Sequence, residues 1–175
     1  KRYNDVINVI IFNQKVKKIL SYKDSITFEE MDGLNNYVEP MLYNLMLMNK
    51  DVKKVTIYTD DGKPVSGDFV QPDESVKNNE WYKISLNNNK TNWWFQDNQL
   101  FVSRNIIDTT NQNKEIGMLC LKLDHKSIFD NILKINTSNY GFIITDTNNN
   151  ILFSKDTSND KERSEEHTSE LQSHH

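Results

Sequence analysis

Residues 99–124 read QLFVSRNIIDTTNQNKEIGMLCLKLD, and this stretch predicts two strands joined by a turn. Apolar and β-branched residues dominate 99–107 and 116–124, as is typical of strands in a sheet. The polar run Thr-Asn-Gln-Asn at 110–113 lies between them and has the composition of a turn. The stretch therefore predicts a strand–turn–strand unit in the second half of the chain.

The second strand of this unit sorts its side chains by alternation, because successive residues of a strand point to opposite faces of the sheet. One face carries Leu119, Leu121 and Leu123. The other face carries Cys120, Lys122 and Asp124. We expect the leucine face to be core, and the opposite face to meet either solvent or a cavity.

Two helical runs precede the strands. Residues 1–22 have apolar side chains at three- and four-residue spacing, which predicts one helix with a single apolar stripe. The stripe consists of Tyr3, Val6, Ile7, Ile10, Val16, Ile19 and Leu20. Thr27 and Glu30 form a capping-box pattern at the start of a second run, and Pro40 within that run predicts a kink or a fresh start.

The remaining segments alternate between strand and helix patterns. Residues 55–59 with Val65 predict a hairpin, and 68–74 predict a loop. The other predicted elements are a helix over 75–86, a helix over 127–135, and a second hairpin over 140–145 and 151–154. Helical runs followed by strands with interspersed helices predict an α+β fold.

Composition excludes several classes of protein. The chain has 175 residues, enough for one domain or for one domain and a fragment. Its single Cys rules out an intrachain disulfide scaffold, and its net charge of −4 offers no basic footprint for nucleic acid. No run approaches the roughly 20 apolar residues of a membrane span, and no signal peptide is recognisable.

Residues suited to catalysis are scarce. Cys120 lies in an apolar strand, where a buried structural thiol is expected, and His125 has no partner pattern for acid–base work. No glycine-rich phosphate loop and no zinc-ligand spacing is present. Asp60, Asp61 and Asp146 fall in predicted turns, where aspartate bonds to the backbone. We therefore expect no enzyme activity, no cofactor and no metal in this chain.

Aromatic side chains are concentrated between residues 81 and 95. They are Trp81, Tyr82, Trp93, Trp94 and Phe95. Flat apolar walls beside a few charged groups, here Arg104 and Asp124, are what a pocket for a small polar-headed molecule requires. Packing of a helix on a sheet explains any single tryptophan. We predict that at least one of them lines a pocket.

The order of these segments is similar to that of a known family. The series is a strand over 53–59, Trp81-Tyr82, Trp93-Trp94, and strands over 102–108 and 116–124. It resembles the extracytoplasmic Cache domain of bacterial sensors, most closely that of YesM-type sensor histidine kinases. The resemblance covers residues 1 to about 156.

The resemblance implies a long N-terminal helix packed on a PAS-like antiparallel sheet. Residues 1–50 would be supporting helices, 51–135 the membrane-distal Cache domain, and 136–157 the opening hairpin of a truncated membrane-proximal Cache domain. Residues 158–175 are expected to be disordered. From Arg163 onward the chain is similar to one reading frame of a sequencing adapter, with three of the four His and no Asn, so 163–175 are expected to be non-native.

The resemblance also implies a function. The chain would be the ligand-sensing domain of a membrane-spanning two-component sensor histidine kinase, on the extracytoplasmic face of the cell membrane. A small molecule would bind in the distal domain and shift the N-terminal helix, through which we expect a homodimer to form. The alternatives are the Cache sensor of a chemoreceptor or diguanylate cyclase, and a ligand-free structural or partner-binding module.

The ligand contacts of the family carry over only in part. The predicted ligand-binding residues are Trp81, Tyr82, Trp93, Trp94, Arg104 and Asp124. Asp124 matches the residue that meets a ligand ammonium group in relatives that bind amino acids. Asn79 stands where many of those relatives have a carboxylate-binding Arg, and its amide cannot offer a bidentate charged fork. Arg104 is the remaining candidate for that contact.

Overall fold

The computed structural model describes residues 2–21, 27–59, 67–135, 142–145, 149, 151–156 and 161–163. It has an α+β fold and divides into two compact units. The first unit comprises Lys1–Phe95 and Gln99–Leu123, and the second comprises Gln96–Asn98 and Asp124–His175.

A five-stranded sheet forms the centre of the first unit. Its strands are β1 (Val52–Thr59), β2 (Phe69–Val70), β3 (Asn92–Gln96), β4 (Gln99–Asp108) and β5 (Lys114–Leu123). Their order across the sheet is β2-β1-β5-β4-β3. The predicted strand–turn–strand unit is confirmed, since β4 and β5 pair antiparallel.

The sheet is mixed, which corrects the expectation of a purely antiparallel sheet. β1 pairs parallel with β2 on one edge and antiparallel with β5 on the other. Both edges of β1 are therefore occupied, with β2 paired to it at Ile57 and Tyr58. The turn and second strand of the predicted hairpin of 55–59 with Val65 fall on residues 60–66, which lie outside the described residues. β2 is only two residues long and falls in the segment 68–74 that was predicted as a loop. Its Phe69 side chain is fully buried.

The first helical run is two helices, α1 (Arg2–Ile11) and α2 (Gln14–Ser21), where one was predicted. The break is made by Asn13, whose side-chain oxygen accepts hydrogen bonds from the backbone N–H of Lys15 and Val16 at 3.0 and 3.1 Å. Asparagine is a favoured residue at the start of a helix. Its side-chain hydrogen bonds therefore begin a new helix although the apolar stripe continues across the break. The stripe itself is confirmed as buried from Val6 to Leu20.

The longest helix is the second run. It is continuous over 21 residues and consists of α3 (Phe28–Gly33), a π-helical turn (Leu34–Val38) and α4 (Glu39–Met48). The predicted capping box is confirmed, with Thr27 and Glu30 exchanging two hydrogen bonds. The helix does not restart at Pro40. Proline has no backbone N–H to donate. The π turn just before Pro40 alters the backbone hydrogen bonding there, so the helix continues past the proline.

The core lies between these helices and one face of the sheet. Helix α2 packs on β4 and β5, α1 packs on β4, and α4 packs on β1. The predicted leucine face of β5 is confirmed as core, because Leu119, Leu121 and Leu123 are all fully buried. Gly117 permits this approach, since a Cβ there would lie 3.1 Å from a methyl carbon of Leu20.

Two short helices cover part of the opposite sheet face. They are α5 (Glu74–Lys77) and α6 (Glu80–Leu86), where one helix over 75–86 was predicted. Asn79 separates them, because its side-chain oxygen accepts a hydrogen bond from the backbone N–H of Trp81 and begins α6. Asn79 therefore has a capping role in this structure.

The second unit contains α7 (His125–Ile135) and a three-stranded sheet in the order β6-β7-β8. Its strands are β6 (Phe142–Thr145), β7 (Ile151–Asp156) and β8 (Lys161–Arg163). The predicted pairing of the second hairpin is confirmed by the antiparallel register of β6 with β7. Arg163, the first residue of the predicted foreign tail, ends β8, and the rest of that tail lies outside the described residues.

Candidate functional site

The register of β4 and β5 sorts the predicted site residues between two faces. Three cross-strand pairs share the face opposite the helical core: Phe101 with Lys122, Ser103 with Cys120, and Asn105 with Met118. We call this the aromatic face. Arg104, paired with Leu119, points to the other face, which we call the helix face.

Trp81, Tyr82 and Trp94 are brought together on the aromatic face. Trp81 is only 8% exposed and lies at the centre of a cluster with Phe101 and Met118. Its ring meets Phe101 edge-on at 5.1 Å and Tyr82 edge-on at 5.7 Å between centroids. Edge-to-face contacts at these distances are favourable aromatic geometry. Tyr82 and Trp94 remain partly exposed around this buried centre.

A chain of hydrogen bonds fastens the cluster to the sheet. Trp94 Nε1 donates to Ser103 Oγ at 2.8 Å, and Ser103 Oγ lies 2.6 Å from Ser85 Oγ. Ser85 Oγ donates to the Trp81 carbonyl oxygen at 2.7 Å. Since the Ser85 hydroxyl proton is used there, Ser103 must donate to Ser85. The chain therefore runs in one direction through β3, β4 and α6, and it uses the indole N–H of Trp94.

Asn105 is a buried polar residue of the aromatic face that the sequence analysis missed. Its Nδ2 donates to the backbone carbonyls of Ser85 and Asn88 at 2.6 and 2.9 Å, which ties the end of α6 to β4. Its Oδ1 has no hydrogen-bond partner among the described residues, although Asn105 is only 4% exposed. The signal was available, because Ser103 and Asn105 are polar residues at two-residue spacing inside an apolar strand.

Trp93 and Arg104 lie on the helix face, away from Trp81, Tyr82 and Trp94. Trp93 is 52% exposed, and its ring meets the ring of Tyr3 edge-on at 6.0 Å. Arg104 Nη1 donates to Thr91 Oγ1 at 3.3 Å. The structure therefore places the predicted ligand-binding residues on two different faces of the sheet. Arg104 does not supply a positive charge to the aromatic face.

Asp124, the remaining predicted residue, belongs to the second unit. Its Oδ1 accepts a hydrogen bond from the backbone N–H of Ser127 at 3.2 Å, immediately before α7. This is the geometry of an N-cap, which aspartate commonly provides. His125 follows it, is buried, and meets the ring of Phe129 edge-on at 5.9 Å.

Two titratable groups of the aromatic face have shifted pKa values. Burial raises the pKa of the Cys120 thiol to about 12, and the nearby Lys54 charge opposes this only partly. The thiol therefore stays protonated at neutral pH, in agreement with the predicted structural role. Burial also raises the pKa of Tyr58, with smaller contributions from Cys120 and Asp73.

The described residues bring together no group of three His, Cys, Asp or Glu side chains that could hold a metal ion. None of the helices in the described part of the chain is long and apolar enough to cross a membrane. No protein-family model matches the chain, and a search of curated proteins found no match. The site is therefore judged on its own geometry.

Proposed function

We propose that this chain is an extracytoplasmic ligand-sensing domain of a membrane-spanning two-component sensor histidine kinase, similar to Cache domains. It binds a small molecule on the aromatic face and signals through the N-terminal helices. The proposal assigns no catalytic activity to this chain. The homodimer predicted through the N-terminal helices, the membrane anchor and the kinase module of the parent protein are parts of the same proposal.

The observation that carries the proposal is the grouping of Trp81, Tyr82 and Trp94 on one face of the sheet. Trp81 is held rigidly, whereas Tyr82 and Trp94 keep exposed surface beside it. Rigid aromatic walls with polar groups close by are the composition of small-molecule sites. The polar atom left over here is Asn105 Oδ1, which has no hydrogen-bond partner among the described residues, whereas the Ser103 hydroxyl is used within the cluster.

A physical route from this face to the first helix supports the signalling part of the proposal. Trp93 and Trp94 are consecutive on the edge strand β3 and therefore point to opposite faces. Trp93 contacts Tyr3 of α1, and the Tyr3 hydroxyl donates to Asp51 Oδ2 at 3.0 Å. A ligand that displaces β3 would change the position of α1. For signalling, the ligand must favour one of two such positions.

A ligand-free structural or partner-binding module is the second candidate. Two observations favour it: Trp81 is packed on all sides by its cluster, and the indole N–H of Trp94 already has an acceptor. In this reading the aromatic face is a second, smaller core. The two candidates differ in whether Tyr82 and Trp94 contact a ligand.

A thermal-shift screen of the 175-residue chain against amino acids, sugars, short peptides and organic acids tests the proposal. We expect at least one compound to raise the melting temperature. Tyr82→Ala should weaken its binding at least about tenfold, because a stacking wall is lost. Tyr43→Ala is the matched control, since Tyr43 is exposed on the long helix. No stabilising compound in any class would contradict the proposal and favour the ligand-free module.

A further inference from the structure

Alternation along β5 predicted Lys122 on this face, but the cation predicted to bind the ligand was Arg104. Asn79 caps α6, and Arg104 points to the helix face. Two lysines do lie on the aromatic face. Lys54 of β1 and Lys122 of β5 are direct cross-strand partners, in register with Thr56–Cys120 and Tyr58–Met118 on the same face.

Two like charges directly opposite each other destabilise a sheet. Cross-strand partners in a regular antiparallel pair have Cα atoms about 5 Å apart. This pair lies beside a register shift between Val52 and Lys54, and both lysines leave the sheet on the same face. Neither lysine forms an ion pair with an acidic side chain of the described residues. Lys54 acts on Asp68 only from beyond ion-pair distance. Among the described residues, Asp68 therefore opposes the charge of Lys54 only at a distance, and neither lysine is held in an ion pair.

The lysine pair adjoins the aromatic cluster. Lys122 is the cross-strand neighbour of Phe101, and Phe101 forms the closest ring contact of Trp81 among the aromatic pairs of the cluster. Cys120, partly exposed, lies between Lys122 and Met118 on the same face. Lys122 is itself only partly exposed, so its charge is less screened than that of a freely extended surface lysine.

We infer that the ligand of the aromatic face is a small organic anion, with its carboxylate or phosphate group held between Lys54 and Lys122 and its flat apolar part against Tyr82 and the neighbouring rings. This inference rests on the proposed function and names the ligand class of that site. An anion between the two ammonium groups removes their repulsion. The unfavourable pair then becomes the source of affinity and of selectivity for negative charge.

The inference can be tested by NMR titration of the isotope-labelled 175-residue chain with three small probes: benzoate, phenyl phosphate and neutral benzyl alcohol. We expect the two anions to shift the amide signals of Lys54, Cys120 and Lys122, and benzyl alcohol to bind at least about tenfold more weakly. The comparison of benzoate with phenyl phosphate shows which anionic group the site prefers. Binding should weaken as the salt concentration rises.

The double variant Lys54→Gln with Lys122→Gln should bind both anions at least about tenfold more weakly. It should also be more stable than the parent without ligand, because the like-charge pair is gone. Lys114→Gln is the matched control on the same strand, exposed at its other end. This variant should bind both anions as the parent does.

Three results would overturn the inference: no amide shift with either anion, equal binding of benzyl alcohol, or unchanged anion binding by the double variant. The last two leave the proposed function standing if Tyr82→Ala still weakens binding, since the ligand is then held by the rings without the lysine pair. The proposed function fails separately, when no compound of the screen binds at all.

Discussion

The two faces of the five-stranded sheet differ in the chemistry of their side chains. The helix face is almost wholly apolar, and helices α1, α2 and α4 cover it. The aromatic face carries rings, Ser103, Asn105, Cys120 and the two lysines, and side chains of α5 and α6 pack on it. If both covered faces of the sheet served stability alone, we would expect their buried side chains to be mostly apolar. Ser103, Ser85 and Asn105 are explained by the hydrogen bonds that hold α6 and β3 to the sheet. The like-charged pair Lys54 and Lys122 is the part of this face that folding alone does not explain.

The largest expected difference between the faces concerns two consecutive residues of β5. Leu121 is fully buried in the helix face, so Leu121→Ala should lower the free energy of unfolding by about 3 kcal/mol through lost burial and a residual cavity. Cys120→Ala on the aromatic face should cost less than about 1 kcal/mol, because the side chain is small and partly exposed. Urea unfolding of both variants measures the difference. Equal costs would mean that the aromatic face is packed as tightly as the core.

The helix face was predictable because its signal is periodic. The leucines of β5 and the apolar stripe over residues 3–20 follow strand and helix spacing, and burial of apolar surface is the main driving force of folding. The elements that were missed depend on the hydrogen bonds of individual asparagine side chains or are very short. Asn13 splits the first helix, Asn79 splits the helix at 75–86, and β2 is a two-residue strand without a repeat to detect.

The candidate site was predictable in its residue types and less so in its geometry. The concentration of aromatic residues indicated a cluster, and the structure brings Trp81, Tyr82 and Trp94 together on one face. Alternation along β3 and β4 assigns Trp93 and Arg104 to the face opposite Trp94. That assignment needed β3 to be recognised and its register known, which depends on long-range pairing. Asp124 could not be placed from its spacing, because its side chain caps the following helix.

A pair of glycines tests how closely the helix face is packed. Gly117→Ala would place a Cβ 3.0 Å from the Tyr58 carbonyl oxygen and 3.1 Å from Leu20, so we expect a loss of about 1–3 kcal/mol from overpacking. Gly33→Ala is the control, since its Cβ would meet nothing within 4 Å. Gly33 ends α3 within the continuous helix, and alanine there should raise stability by up to about 1 kcal/mol. A neutral Gly117→Ala variant would contradict the close approach of α2 to β5.

The hydrogen-bond chain of the aromatic face is tested by Ser103→Ala. This variant removes the acceptor of the Trp94 indole N–H and the partner of Ser85. We expect a loss of about 1–2 kcal/mol in urea unfolding, together with a change in tryptophan fluorescence. Ser75→Ala, which removes a hydroxyl bonded to Asp73 at an exposed position, is the control and should leave the fluorescence unchanged. An unchanged fluorescence spectrum in Ser103→Ala would show that Trp94 is held by packing alone.

The smallest expected effect is a pH dependence at the β2 edge of the sheet. Burial raises the pKa of Asp68, the nearby Glu39 carboxylate raises it further, and Lys54 lowers it slightly. Because the pKa is higher in the folded than in the unfolded chain, Asp68 favours folding below its ordinary pKa near 4, and that contribution is lost as the pH rises through the folded-state value. Asp68→Asn should therefore remove a decline in stability that the parent shows on going from acidic pH towards neutrality.

Urea unfolding between about pH 3 and pH 7 measures this decline for the parent and for Asp68→Asn. Glu39→Gln is the matched variant, because it keeps Asp68 and removes the neighbouring charge that raises its pKa. It should flatten the pH dependence in part, whereas Asp68→Asn should flatten it fully at this position. If neither variant changes the slope, Asp68 is more solvated than its position suggests. The difference in polarity between the two faces would then not extend to Asp68 at the β2 edge and would be confined to the central strands.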